Sequence, residues 1–88
     1  MPSLMHIHFT SDFRKAYKKL PLHIQDAVDK KDSLFRENPF HKSLKVHELH
    51  GELEGLWAFS VTHSYRILFE FIKEGAIFHD VGTHEIYR

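Results

Sequence analysis

The chain has 88 residues, 42% of them hydrophobic, with twelve Lys and Arg balanced by twelve Asp and Glu. That length supports one modest core burying roughly 60–65% of the unfolded surface, so a single domain spanning 1–88 is expected. The absence of cysteine excludes a disulfide scaffold, thiolate metal sites and a cysteine nucleophile. No apolar run approaches the ~18 residues of a membrane span, and the N-terminus shows no signal-peptide pattern, so a cytoplasmic domain without membrane contact is expected.

Two local features stand out. Nine histidines and eight phenylalanines are high counts for this length. The halves also differ in charge: residues 1–45 carry nine Lys and Arg against five Asp and Glu, and residues 46–88 carry three against seven. A basic face and helices with solvated lysines both account for the N-terminal surplus.

In chain order, Leu4 to Phe9 reads as a short strand, because Met5, Ile7 and Phe9 alternate with His6 and His8. Thr10, Ser11 and Asp12 are N-cap residue types, and Phe13, Ala16, Tyr17 and Leu20 follow at helical spacing. Pro21 ends this helix and can occupy the first turn of the next. Ile24, Ala27, Val28, Leu34 and Phe35 then share a stripe until Asn38-Pro39, which predicts a helical hairpin with basic outer faces.

Beyond Pro39 the apolar period falls to two. Leu44–Leu49 is a candidate strand, and 50–55 is a loop punctuated by Gly51 and Gly55. Leu56–Thr62 and Tyr65–Phe71 alternate as strands, with His63-Ser64 as a tight hairpin between them. Glu74-Gly75 marks another turn before a last strand, Ala76–Val81. The class is α+β: a β-α-α-β-β-β-β order with an antiparallel sheet packed against the helical hairpin. Trp57, Phe59, Tyr65, Ile67, Phe69 and Phe71 are expected to meet Phe13, Tyr17, Ile24, Val28, Leu34 and Phe35 in the core.

The second half carries motifs in a specific order. His47-x-Leu49-x-Gly51 precedes Gly55-Leu56-Trp57, Tyr65-Arg66-Ile67-Leu68-Phe69 forms a strand, and Asp80-Val81-Gly82-Thr83-His84 leads to Tyr87. Together these resemble the RelE/YafQ-type toxins of bacterial type II toxin–antitoxin modules, within the RelE/ParE superfamily. The resemblance implies a RelE-like fold, an endoribonuclease that cuts messenger RNA on the ribosome (an mRNA interferase inhibiting translation and growth), and a cognate antitoxin. It implies no cofactor and no metal. ParE-like members share the fold and bind gyrase without catalysis, and an inactive antitoxin-binding relative is a further alternative. Oligomeric state stays open.

Metal-free RNA cleavage needs a base for the 2′-hydroxyl, an acid for the leaving 5′-oxygen and donors to the phosphate. Histidine suits both proton roles, and arginine holds phosphate with a fixed fork of donors. On the resemblance, His84 matches the histidine of the "GTH" turn and His47 is the candidate for the opposite proton role. His63 is a third catalytic candidate near the hairpin turn. Arg66, His50 and Tyr87 are candidates for RNA and phosphate binding, with His50 expected in the same cleft as His47 and Tyr87 available to stack on a base. For Arg66 the competing expectation is a cross-strand ion pair with Glu70 or Glu48.

Two departures matter. Ala58 stands where many RelE-like proteins carry a catalytic arginine, and Glu48, Glu52 and Glu54 occupy a region often rich in lysine. Both favour the histidine-rich, YafQ-like form of the site. His6 and His8 share a strand face but lack a carboxylate partner for a metal, His79 is expected to be hydrogen-bonded, and His23 and His41 read as surface residues.

Overall fold

A computed structural model describes residues 5–87. Strand β1 (His6–Phe9) leads into helix α1 (Ser11–Lys18) and helix α2 (Leu22–Glu37). A single 3-10 turn at Lys42–Leu44 precedes β2 (His47–Glu48), and another at Gly51–Leu53 precedes β3 (Trp57–Ser60). Strands β4 (Arg66–Ile72) and β5 (Gly75–Gly82) complete the sheet, and a 3-10 turn at His84–Tyr87 follows. The α+β architecture and element order are as the periodicity indicates. Leu4, placed in the first strand by its alternation, lies outside the described residues.

Local chemistry explains the helix boundaries. The Thr10 hydroxyl accepts from the Phe13 amide at 3.0 Å, satisfying a donor that the first turn leaves unpaired. Pro21 caps α2 from outside rather than sitting in its first turn, and has no side-chain bond to offer. The hairpin is pinned near its bend by Gln25 Nε2, which donates to the Tyr17 and Leu20 carbonyls, and by the Tyr17 hydroxyl, which donates to Asp29 at 2.8 Å.

The sheet order is β1-β5-β4-β3-β2. Strands β2 to β5 pair antiparallel, but β1 pairs parallel with β5, in register His6↔Gly75 to Phe9↔Phe78. The antiparallel sheet expected from sequence is therefore corrected at its edge. The helical hairpin carries the chain away from β1, and the later meander returns β5 beside it in the same direction, which a short turn cannot do. Gly75 permits the approach, since a Cβ there would collide with the His6 backbone.

Three further expectations are corrected. The span Leu44–Leu49 forms only a two-residue strand, because Leu44 is fully buried at the end of a 3-10 turn and Lys45 turns into the left-handed region at φ 52°. His63-Ser64 is not a two-residue turn. Ser60 pairs with Arg66, so the link spans Val61–Tyr65 and is held by the Thr62 hydroxyl, which accepts from the Ser64 and Tyr65 amides at 3.2 Å each. The two-residue turn falls instead at Lys73-Glu74, between the paired Ile72 and Gly75.

The third correction concerns His79. Sequence alternation places it with Ile77 and Val81, but Phe78 pairs with Phe69 and Asp80 with Leu68, leaving His79 as an unpaired bulge residue. Ala76 and Phe78 face the core before the bulge and Val81 after it. The freed His79 carbonyl accepts from the Thr10 hydroxyl at 3.1 Å, and its Nε2 meets Glu70 Oε1 at 2.7 Å. The expected hydrogen-bonded role of His79 is present.

Between the helices and the inner sheet face lies a phenylalanine core. Phe35, Phe59, Phe69 and Phe78 are fully buried. Phe35 stacks on Phe59 at 4.8 Å between centroids and stands edge-on to Phe69 at 4.9 Å, arrangements that suit the ring quadrupoles. Phe13, Ile24, Val28 and Ile67 join them, while Tyr17, Leu34, Trp57, Tyr65 and Phe71 pack around the margin.

Candidate functional site

Residues opposite one another in an antiparallel pair point to the same side of the sheet, so the register fixes the outer face. One row across it is His47, Ala58, Leu68 and Asp80, and the next is Ser60, Arg66 and Gly82. The Val61–Tyr65 link and the closing 3-10 turn rise beside these rows. They enclose an open cleft of about 640 Å³ lined by His47, His63, Ser64, Arg66, Thr83, His84 and Tyr87.

Five of the six sequence candidates therefore meet in one place. His50 does not: it is exposed, outside the cleft lining, just before the Gly51–Leu53 turn. Ser64 and Thr83 were not singled out from sequence. Each is the neighbour of a candidate histidine, in His63-Ser64 and Thr83-His84, and that adjacency was the available signal. Among the described residues no carboxylate lines the cleft, so their acidic surplus over 46–87 falls elsewhere.

The geometry gives each side chain a definite capacity. His47 Nδ1 lies 3.0 Å from the Lys45 carbonyl. A carbonyl only accepts, so Nδ1 carries the proton in the neutral ring and Nε2 presents a free lone pair. The left-handed turn at Lys45 brings that carbonyl within reach. His63 and His84 are exposed at the cleft, able to take or give a proton.

Arg66 is half-buried and serves the cleft twice. Its Nη1 donates to the carbonyls of Thr62, His63 and Tyr65 at 2.7, 3.1 and 3.0 Å, which ties down the link that carries His63 and Ser64. Nη2 and Nε have no partner among the described residues and remain available to an anion. The competing ion pairs are absent among these residues, since Glu70 is engaged with His79.

Burial pushes the Tyr87 phenol up from its ordinary value, and the nearby Arg66 guanidinium partly offsets this. The hydroxyl is therefore a neutral donor near pH 7. Its position depends on Gly82, where a Cβ would stand 2.8 Å from Ile86 Cγ2 on the 3-10 turn that carries His84 and Tyr87. Gly82→Ala should displace this turn at a cost of about 1–3 kcal/mol while the sheet persists. NMR would show the effect as shifted His84 and Tyr87 ring resonances; unchanged resonances would show that the turn does not depend on Gly82.

Ala58 is fully buried in the outer row between His47 and Leu68. A long cation cannot occupy that point without displacing its neighbours. Among the described residues, no group of three or more His, Asp or Glu side chains is placed to hold a metal ion. No helix is long and apolar enough to cross a membrane.

A two-helix layer on a five-stranded, mostly antiparallel sheet with one parallel edge is the RelE-like toxin fold. Solved structures of such toxins superpose over nearly the whole chain. YafQ from E. coli strain BL21(DE3) matches with a TM-score of 0.79 at 17% identity, covering 94% of this chain and 97% of its own. The RelBE2 toxin–antitoxin complex from Mycobacterium tuberculosis matches at 0.78 and 21%, covering 92% and 99%. A YoeB/ParE toxin from Agrobacterium tumefaciens matches at 0.77 and 15%, covering 91% and 99%. No family model matches the sequence, and no curated protein matches it significantly. At these identities the likeness carries the fold, and the function has to be argued from the cleft.

Proposed function

We propose that the chain is a toxin of a type II toxin–antitoxin module and a metal-independent endoribonuclease acting on messenger RNA at the ribosome. The observation that carries this reading is the convergence of His47, His63, His84, Arg66 and Tyr87 in one cleft, with no carboxylate beside them among the described residues. His47 Nε2 takes the proton of an RNA 2′-hydroxyl as its oxygen bonds to the adjacent phosphorus. The bond from phosphorus to the 5′-oxygen breaks, and His84 supplies that oxygen with a proton. The products are a 2′,3′-cyclic phosphate and a 5′-hydroxyl end. The open donors of Arg66 hold the phosphate oxygens, the Tyr87 hydroxyl adds a neutral donor, and His63 is an alternative proton carrier. His50 is left a peripheral RNA contact.

A protein inhibitor belongs to this reading, because several similar structures are complexes of a toxin with its antitoxin. A second reading, a toxin that binds gyrase without catalysis, is favoured by the single guanidinium and the lack of lysine among the described residues of the cleft. Expression without the inhibitor separates them. Mapping the ends of cellular messages in the first minutes should show new cuts bearing 5′-hydroxyls. Growth arrest with intact messages would replace the nuclease by the gyrase reading, and no arrest would indicate an inactive relative.

A further inference from the structure

Strand β1 ends the sheet on the side away from β2, and among the described residues no further strand pairs with it. The His6 and Thr10 amides donate inward, to the Glu74 and Phe78 carbonyls, at 3.1 Å each. In a parallel pair the amide and carbonyl of one residue point the same way, and that direction alternates along the strand. Met5, Ile7 and Phe9 therefore turn theirs to the open edge. His6–Phe9 carries no proline, lysine or bulge, the usual devices that keep such an edge from pairing.

The side chains alternate as well. Met5, Ile7 and Phe9 pack against the core, and His6 and His8 stand exposed on the outer face. The imidazoles of His41, His47 and His79 are engaged in hydrogen bonds; those of His6 and His8 have no partner among the described residues. Their neighbours across the ladder are Gly75 and Ile77, which offer no third ligand. One chain thus supplies two metal-binding nitrogens and stops.

A two-fold axis supplies the other two. When a second β1 pairs antiparallel about Ile7, Ile7 meets its own counterpart, Met5 meets Phe9, and each open amide finds a carbonyl. His6 then falls opposite His8 of the second copy, and His8 opposite its His6. Both are pairs without a main-chain hydrogen bond, in which Cα atoms stand about 4.5 Å apart. Alternate residues of one strand are about 6.5–7 Å apart. Four imidazoles then surround one point on the outer face, within reach of a tetrahedral ion at about 2.0–2.1 Å from each nitrogen.

We propose that Zn²⁺ joins two copies of this chain edge to edge through β1, held by His6 and His8 of each. The edge from Met5 to Phe9 offers far less contact than the roughly 1,200–2,000 Å² of a stable interface, so the dimer depends on the metal. An unrelated strand could satisfy the same main-chain groups, but it would leave the histidine pair as half a site. The inference does not depend on the chemistry assigned to the cleft.

Sedimentation velocity on the full chain without an affinity tag tests this. The chain should be a monomer in EDTA and a dimer with Zn²⁺, and calorimetric titration should find one ion for each pair of chains. His6→Ala/His8→Ala should remain monomeric at the zinc concentration that dimerises the unaltered chain. His47→Ala/His63→Ala/His84→Ala, which removes the cleft's imidazoles, should dimerise like the unaltered chain. In the zinc form, hydrogen exchange at the Ile7 and Phe9 amides should slow by at least about tenfold, as edge groups become ladder groups. A dimer in EDTA, zinc bound without association, or association that survives His6→Ala/His8→Ala would each overturn the proposal. So would a zinc dimer whose Ile7 and Phe9 amides exchange as fast as the monomer's, since the strands would then be unpaired.

Discussion

His84→Ala and His47→Ala should each lower single-turnover RNA cleavage by about 10²- to 10⁴-fold with the fold intact, the usual contribution of a positioned proton-transfer group. Both side chains are exposed, so neither substitution opens a cavity. The two variants should differ in what restores them. A leaving group that needs no proton should recover most of the loss in His84→Ala and little of it in His47→Ala, because only the acid step is bypassed. Cleavage that stays within a few-fold of the unaltered protein in either variant would remove that residue from the mechanism. Equal recovery in both would reverse or dissolve the assignment of base and acid. His63→Ala is the internal comparison, since its ring borders the same cleft without a bond that fixes its tautomer.

Phe35→Ala should be the most damaging single change to the fold. The side chain is fully buried and meets the rings of Phe59, Phe69, Phe71 and Phe78 between 4.8 and 6.2 Å. Truncation removes the contacts of all four and leaves a cavity that neighbouring rings fill poorly, at a cost of about 3–5 kcal/mol. A domain of this length has roughly 4–13 kcal/mol to lose, so the change removes between about a quarter and all of its stability. Denaturant unfolding followed by near-UV circular dichroism measures the difference. A loss below about 1 kcal/mol would mean that the ring cluster repacks and that α2 is not anchored through Phe35. Phe35→Leu, which keeps most of the volume, should fall between the two.

Much of this arrangement is legible in the amino-acid order. The helices follow from apolar spacing and from Thr10 and Pro21, and β4 is plain in the alternation of Ile67, Phe69 and Phe71. The failures share a physical origin, which is that periodicity describes a strand without its neighbours. Nothing in His6–Phe9 states which strand it will join, so the parallel partnership with β5, set by the path of the intervening helices, is invisible locally. The alternation of Leu44 and Val46 resembles a strand, but burial of Leu44 is achieved by a turn instead. The span His63-Ser64 has the length of a tight turn, yet Thr62 closes a wider one with its hydroxyl.

The cleft was partly legible for a related reason. The histidines and Arg66 could be named as chemical types, but their meeting depends on register. His47 faces the same way as Arg66 because Ala58 opposes one and Ser60 the other, two positions apart on β3. His50, three residues beyond His47, lies past the end of the two-residue β2 and is carried off by the next turn. Ser64 and Thr83 are legible only as the neighbours of His63 and His84, and the enclosing surfaces add them to the site.

The bulge at His79 has a consequence for how this chain aligns with others. Removing that residue on paper leaves Phe78 opposite Phe69 and Asp80 opposite Leu68, so every downstream side chain keeps its face. The strand has thus accommodated one surplus residue without changing phase. The tie from the His79 carbonyl to Thr10, by contrast, exists only because that residue is surplus to the ladder. A superposition that pairs β5 residue for residue with an unbulged strand would place Thr83 and His84 one position out of step. A single gap at His79 restores them.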